Sequence, residues 1–384
     1  MKFILTDEQQ KKHEEFKKFA HTIVKPYAYD NDKNEELSKQ LITALGSQGY
    51  LGSFLPKEYN GLEMDMITHG LLNEEIGAVC SSTRSLITVH GMVEHALLNW
   101  GTEEQKKQWL KDLAEGKKIG AFALTEPEIG SDANNIQVNA ELKDETFVLN
   151  GTKRWISFGQ IADLFILFAR YNGRISAFIV PKDSPGLKIM PIKGMLGLKA
   201  TMGAQLELNN CTISINNLIG RRGTGLTQVA LGALDYGRYS VAWGCVGIGQ
   251  SCMNESIKYA LKREQFNTKI NKHQLIQKMI AEMSTKITAA RLLCMYAGYL
   301  KDEKNPNSIN ETCKAKYYTA RAIQKIASDS VQIHAANGCS ESYPVSRYFR
   351  DAKIMEIIEG TNQMHEIMIS SNILRTRKGE ENYN

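Results

Sequence analysis

The stretch Phe122-Ala123-Leu124-Thr125-Glu126-Pro127-Glu128-Ile129-Gly130-Ser131-Asp132 stands where one sequence texture ends and another begins. Before it the chain reads as helical. Thr6-Asp7-Glu8-Gln9 is a capping box, followed by Phe16, Phe19, Ala20 and Ile23 at helical spacing, and Pro26 is expected to end that helix. A second capping box, Thr102-Glu103-Glu104-Gln105, opens a helix carrying Trp109, Leu110 and Leu113, with Gly116 placed to stop it. After Lys118 short apolar runs such as Thr146–Leu149 and Leu164–Phe168 alternate with turn residues, and Asn150-Gly151 and Asn172-Gly173 read as hairpin dipeptides. From about Leu226 the pattern is helical again. Ile276, Met279, Ile280, Met283 and Ile287 mark one face of a long helix, and Asn305-Pro306-Asn307 breaks into the next. The expected class is therefore α+β, mostly α, in the order helical, β, helical over residues 1–118, 119–225 and 226–384.

A chain of 384 residues with 42% hydrophobic content can bury two or three cores. The 47 basic and 42 acidic residues leave a net charge of +5, too small to imply nucleic acid but suited to an anionic ligand or an acidic partner. Seven scattered cysteines without a CxxC spacing argue against a disulfide framework and against a zinc site, so no metal is expected. The start, MKFILTDEQQ, has three consecutive apolar residues, too few for a signal peptide or a membrane span, and a cytoplasmic location follows as an expectation.

Taken alone, Gly130-Ser131-Asp132 is a polar turn, although such a turn beside strand ends can offer N–H groups and a hydroxyl to a phosphate or a flavin carbonyl. Four further stretches accompany it in order: Asn150–Ser157; Leu234-Asp235-Tyr236-Gly237-Arg238; Arg263-Glu264-Gln265-Phe266; and Arg350-Asp351-Ala352-Lys353 leading to Glu359-Gly360-Thr361. With these five stretches, nearly the whole chain resembles the acyl-CoA dehydrogenase family. The resemblance implies an amino-terminal helical domain, a middle β-barrel and a carboxy-terminal four-helix bundle, assembled as a dimer or tetramer. It also implies FAD and the oxidation of an acyl thioester across its α,β carbons, with an electron-transfer flavoprotein as one candidate acceptor.

Carried over position by position, Glu359 falls on the family's catalytic base. The local sequence equally allows a glutamate near a helix N-terminus. Some branches place the base on the helix of Leu234–Arg238, where the matching residue here is Gly237. Phe122, Leu124, Thr125, Gly130 and Ser131 match the strand and turn against the flavin ring, flanked by Trp155 and Ser157. Trp155 is also readable as a core aromatic. Arg263, Gln265, Phe266, Gln274, Gln332 and Ala336, with Thr361 and Gln363, match the segments that meet the FAD pyrophosphate and adenosine across a subunit boundary. The substrate set is Arg84, His90, Ser131, Asp235, Arg238 and Gly360.

Three positions depart from the family pattern. Ala335-Ala336 replaces a Gly-Gly, Asn267 stands where glycine usually follows Gln-Phe, and Ser370-Ser371 replaces an arginine associated with the CoA end. Arg84 sits where glutaryl-CoA dehydrogenases carry an arginine that meets a substrate carboxylate. If it faces the pocket the acyl group is short and polar; otherwise it is a surface or ion-paired arginine. Ala242–Gly247 and Gln332–Cys339 are similar to relatives in polyketide and nonribosomal-peptide pathways that oxidise acyl groups on carrier proteins, which makes an acidic acyl or peptidyl carrier protein a second candidate partner. A flavin oxidase or monooxygenase on the same scaffold, and a DNA-associated alkylation-response flavoprotein, are the competing readings.

Overall fold

In the computed structural model, residues 4–381 are described, with side chains described as far as Arg375; Met1–Phe3 of the amino-terminal reading lie outside them. The first capping box forms as read. Thr6 Oγ1 accepts from the Gln9 N–H at 3.2 Å, and Gln9 Oε1 accepts from the Thr6 N–H at 3.0 Å, opening α1 (Asp7–Phe19). Pro26 does not end a helix. Helix α1 passes through a π turn (Ala20–Val24) and a 3-10 turn (Lys25–Tyr27) into α2 (Ala28–Asn34). Proline sits in the first turn of the 3-10 segment, where its missing N–H leaves no bond unmade. Helices α3 (Lys39–Ser47), α4 (Met66–Val79), α5 (Ser81–Trp100) and α6 (Glu103–Ala114) follow. The second capping box opens α6, and Gly116, at φ +68°, ends it.

Strands β1 (Gly120–Ala123), β2 (Asn139–Lys143), β3 (Thr146–Ile156), β4 (Leu164–Tyr171), β5 (Arg174–Pro181), β6 (Leu187–Pro191), β7 (Ala204–Ser214) and β8 (Leu218–Ile219) form one sheet, but it is not the expected barrel. Its order is β6-β7-β3-β2-β4-β5-β8, with β1 also beside β4. One edge of β4 is shared: β1 runs parallel along residues 164–167, and β2 touches it only at Asn139 and Arg170. The sheet thus divides into two wings hinged at that point, and β6 and β8 end the path unpaired with each other, so it stays open. Apolar side chains including Phe147, Phe165 and Phe178 fill the space between the wings.

Asn172-Gly173 is a two-residue hairpin turn between Tyr171 and Arg174, both residues at positive φ. Asn150-Gly151, in contrast, lies inside β3. There Gly151 sits at a register shift against β7, and a Cβ would meet Val138 Cγ2 at 2.8 Å. The actual β2–β3 turn is at Asp144-Glu145, flanked by the pair Lys143 and Thr146.

A π turn (Gly225–Ala230) leads into α7 (Leu231–Ala260), then a small hairpin of β9 (Glu264–Gln265) and β10 (Thr268–Lys269). Helices α8 (Gln274–Asp302), α9 (Ser308–His334), α10 (Pro344–Met355) and α11 (Asn362–Glu381) complete the chain. Met283 and Ile287 of the expected α8 stripe are buried, and Ile276, Met279 and Ile280 pack against the same core. The Asn305-Pro306-Asn307 break separates α8 from α9. Helix α7 packs against α4, α5, α8 and α9, so the two helical regions share one core. Six cysteines are buried, Cys339 is exposed, and all seven are free thiols. Among the described residues no helix is long and apolar enough to cross a membrane.

Candidate active site

Glu359 lies in the turn between α10 and α11, at φ +56°, followed by Gly360 at φ +92°. Holding a side chain in the left-handed region costs about 1–2 kcal/mol. Two cations grip this turn. Arg238 Nε on α7 donates to the Glu359 carbonyl at 3.1 Å, and Lys316 Nζ on α9 donates to the Gly360 carbonyl at 2.7 Å. The Glu359 carboxylate points toward α7, where Gly237 leaves room for it: a Cβ there would lie 2.6 Å from Oε2 and 2.9 Å from Met92 Sδ. Oε2 is sealed from solvent and has no hydrogen-bond partner. Burial raises the Glu359 pKa to about 7, against the opposing pull of Arg238, Lys316 and Arg84. A carboxylate so placed, with its pKa raised toward neutrality, is suited to act as a base.

Arg84 is neither surface nor ion-paired. It is fully buried on α5 against Gly244 of α7, donating to Thr88 Oγ1 at 2.7 Å and Ser85 Oγ at 3.0 Å, with Met355 Sδ at 3.7 Å. Among the described residues no carboxylate lies within ion-pair distance of it, and its Nε has no partner. Burial pushes its pKa down, offset by Cys245, then Glu359 and Asp351. The Thr88 hydroxyl continues the polar line to Ser240 Oγ at 2.6 Å, and Ser240 donates to Asn73 Oδ1 at 2.6 Å.

His90 is not brought into this group. Its Nδ1 accepts from the Gly120 N–H at 3.2 Å and its Nε2 donates to the Leu113 carbonyl at 3.0 Å, so both ring nitrogens tie α5 to its neighbours. Asp235 forms an ion pair with Lys301 while its Oδ1 is buried without a partner. Arg238 and Gly360 stand at the Glu359 turn, and Ser131 is exposed on the loop after β1.

Most of the expected flavin residues fall in two clusters. In the first, the ring of Phe122 on β1 lies tilted against Phe168 at 4.9 Å, and Leu124 and Thr125 carry carbonyls that accept from Lys153 Nζ and the Arg154 N–H, both at 2.9 Å. Trp155 is no core residue: it is 47% exposed, at φ +63° in a register shift of β3, with the Arg154 guanidinium 4.7 Å above its ring. Ser157 beside it is half-buried, and Gly130 faces open space. The second cluster lines a groove of about 370 Å³ that includes Arg263, Gln265, Phe266, Ala335 and Ala336. Phe266 is 91% exposed at φ +56°, in the tight turn it shares with Asn267. Gln274, Gln332 and Gln363 are exposed, while Thr361 Oγ1 accepts from the Met364 N–H at 3.4 Å at the start of α11. A strained, projecting phenylalanine, a cation and backbone amides around a groove suit a pyrophosphate and an aromatic base, and an open, tryptophan-edged strand end suits a flavin ring, so these residues fit FAD.

Sequence reasoning missed Lys316, His365 and Met92. Lys316 had a signal: it falls on the same helical face as Thr312, Ala315, Thr319 and Ile323, an unexpected place for an ammonium.

A carboxylate whose Oε2 is buried without a partner and whose pKa is raised, in a chain that also carries residues fit for FAD, has the parts of a flavoenzyme with an acid–base group. Three family descriptions match the chain: Acyl-CoA dehydrogenase, N-terminal domain, over residues 6–117; middle domain, over 121–211; and C-terminal domain, over 223–374. The chain is 35% identical over 381 residues to the short-chain-specific acyl-CoA dehydrogenase of Clostridium acetobutylicum, covering 98% of this chain and 100% of that protein. Among solved structures it is similar to a chain in that of the electron transferring flavoprotein of Acidaminococcus fermentans (36% identity, TM-score 0.94, 98% of this chain and 100% of that one). It is also similar to glutaryl-coenzyme A dehydrogenase in complex with glutaryl-CoA (32% identity, TM-score 0.94, 98% of each chain). The chain belongs to the acyl-CoA dehydrogenase family and is an FAD-dependent oxidoreductase.

Proposed function

We propose that the chain dehydrogenates a short acyl thioester whose acyl group carries a carboxylate or another strongly polar end. Glu359 takes the α-proton on its carboxylate, and FAD, when bound, supplies the acceptor for the β-hydrogen as hydride. The saturated thioester leaves as its trans-enoyl counterpart, having lost one proton to Glu359 and one hydrogen with two electrons to the cofactor. Phe122, Leu124, Thr125, Gly130, Ser131, Trp155 and Ser157 would hold the ring end of FAD, and Arg263, Gln265, Phe266, Gln274, Gln332, Ala336, Thr361 and Gln363 its pyrophosphate and adenosine parts.

The observation that carries the base assignment is the Glu359 carboxylate, sealed, unpartnered and turned to the gap that Gly237 leaves. An α-proton is too weakly acidic for a free carboxylate, so the thioester oxygen needs donors fixed in advance, and the gripped turn supplies the Glu359 N–H for that purpose. The observation that carries the substrate class is Arg84, a buried guanidinium with hydroxyl partners and, among the described residues, no carboxylate within ion-pair distance. A substrate carboxylate at that depth supplies the missing charge, while a long alkyl chain leaves it uncompensated.

This reading takes residues 1–118, 119–225 and 226–384 as the three units, with FAD completed by a second copy of the chain in a dimer or tetramer. That a chain similar to this one occurs in the solved structure of an electron transferring flavoprotein supports such a flavoprotein as the electron acceptor. The test is anaerobic mixing of the holoenzyme with short dicarboxylyl, short unsubstituted and long-chain thioesters, each on CoA and on a phosphopantetheinyl carrier protein, while the flavin band is followed. The short carboxylate-bearing group should bleach it fastest. Faster bleaching by long apolar chains contradicts the substrate assignment, and the CoA and carrier arms decide the tether.

A further inference from the structure

The two cations beneath Glu359 do not act alike. Arg238 is a substrate-side candidate as well as a donor to the turn. Lys316 is fully buried, and among the described residues its ammonium makes one hydrogen bond, to the Gly360 carbonyl, and no ion pair. An ammonium held in a helix interior against a single carbonyl is a costly choice where a methionine would fill the space. The carbonyl it holds belongs to the second of two successive left-handed residues, the first being Glu359 itself. His365 on α11 is fully buried beside Gly360, 3.5 Å from where its Cβ would lie; neither ring nitrogen makes a hydrogen bond of ordinary geometry, although the Glu359 and Gly360 backbone lies close enough to act on the ring. After burial, the nearby charges of Lys316 and Arg238 push its pKa down to about 3, which keeps the ring neutral.

We propose that Lys316 is a positioning residue for the base: through the Gly360 carbonyl it locks the left-handed turn, and its fixed charge tempers the proton affinity of Glu359. The inference rests on Glu359 being the base. The charged and titratable groups facing Glu359 are Arg84 from α5, Arg238 from α7, Lys316 from α9 and His365 from α11. Three of them are cations, so removing one changes the balance in a known direction. Lys316 itself is pushed down to about 8 by burial, with Cys245 and Glu359 pulling it back up, and it therefore remains mostly charged at neutral pH.

The experiment compares full-length holoenzyme carrying Lys316→Met, Lys316→Gln and Lys316→Arg by flavin content, by amide hydrogen exchange over residues 356–365, and by the pH profile of flavin reduction. In Lys316→Met the turn should exchange faster, and the profile midpoint should move up by about one to three pH units, the size of a neighbouring charge effect. Lys316→Gln keeps a donor but no charge, so its exchange should stay near wild type while the midpoint still rises. Lys316→Arg should keep the wild-type midpoint. Wild-type exchange and midpoint in Lys316→Met overturn the proposal, and if that variant does not fold, an unmoved midpoint in Lys316→Gln does the same. Should the wild-type profile contain no ionisation that Glu359→Gln removes, the base assignment fails instead, and the exchange difference still decides whether Lys316 braces the turn.

Discussion

Gly237 and Glu359 are complementary in shape: the hydrogen of one occupies the place beside which the carboxylate of the other is seated, and a methyl group added at Gly237 would stand 2.6 Å from Oε2. The smallest side chain on α7 therefore sets where the base points.

Gly237→Ala should displace the carboxylate without unfolding the protein, because alanine suits a helix interior better than glycine. Flavin content should be unchanged, and the rate of anaerobic flavin reduction should fall about 100-fold, the usual result of misplacing a reacting group by about 1 Å. Rapid-mixing absorbance measures both.

The pH dependence follows from the Glu359 pKa of about 7. Only the ionised form accepts a proton, so flavin reduction should rise with pH below about 7 and level off above it. The stability effect has the opposite sign. Folding raises this pKa above its ordinary carboxylate value, so the protonated group is favoured by the fold, and its contribution is present at low pH and lost as pH rises through about 7. Glu359→Gln, neutral at every pH, should melt higher than wild type at pH 8 and close to it at pH 5, as calorimetry can check.

Arg84→Met should separate substrate recognition from stability. Loss of the guanidinium should lower kcat/KM for a carboxylate-bearing thioester by about 2–5 kcal/mol in transition-state terms, leaving an unsubstituted short thioester far less affected. The substrate-free protein should not melt lower, because a buried cation without an anion has been replaced by an apolar chain of similar length. Steady-state kinetics with the two thioesters and a thermal melt give the comparison.

Ala335→Gly should stabilise the chain. Ala335 caps α9 at φ +52° and ψ −135°, a region that glycine alone adopts readily, and such strain costs about 1–3 kcal/mol. The melting temperature should rise and FAD affinity should hold or improve, since the groove lined by Ala335 and Ala336 loses a methyl group.

How much of this was legible in the sequence depended on distance along the chain. Both capping boxes and the Asn172-Gly173 turn were readable because their partners lie within three residues of one another. Asn150-Gly151 carries the same dipeptide, yet its role is set by β7 and Val138, which the local sequence does not reveal. The open sheet was likewise hidden: it follows from β1 and β2 sharing one edge of β4. Glu359, Arg84 and the expected flavin residues were assigned by family pattern, but the burial that makes Arg84 informative comes from Gly244 on another helix. Pattern also overreached at His90, whose nitrogens are consumed by backbone groups of α6 and β1. Lys316 meets Gly360 across 44 residues, and only its place on an otherwise uncharged helix face hinted at it.

The most direct measurement is anaerobic titration of Glu359→Gln holoenzyme with the best thioester from the wild-type panel. The amide fills the same space and the FAD site is untouched, so the protein should remain yellow, bind the thioester with a perturbed flavin spectrum, and fail to bleach. Bleaching at a rate near that of the wild type would mean that another group takes the α-proton.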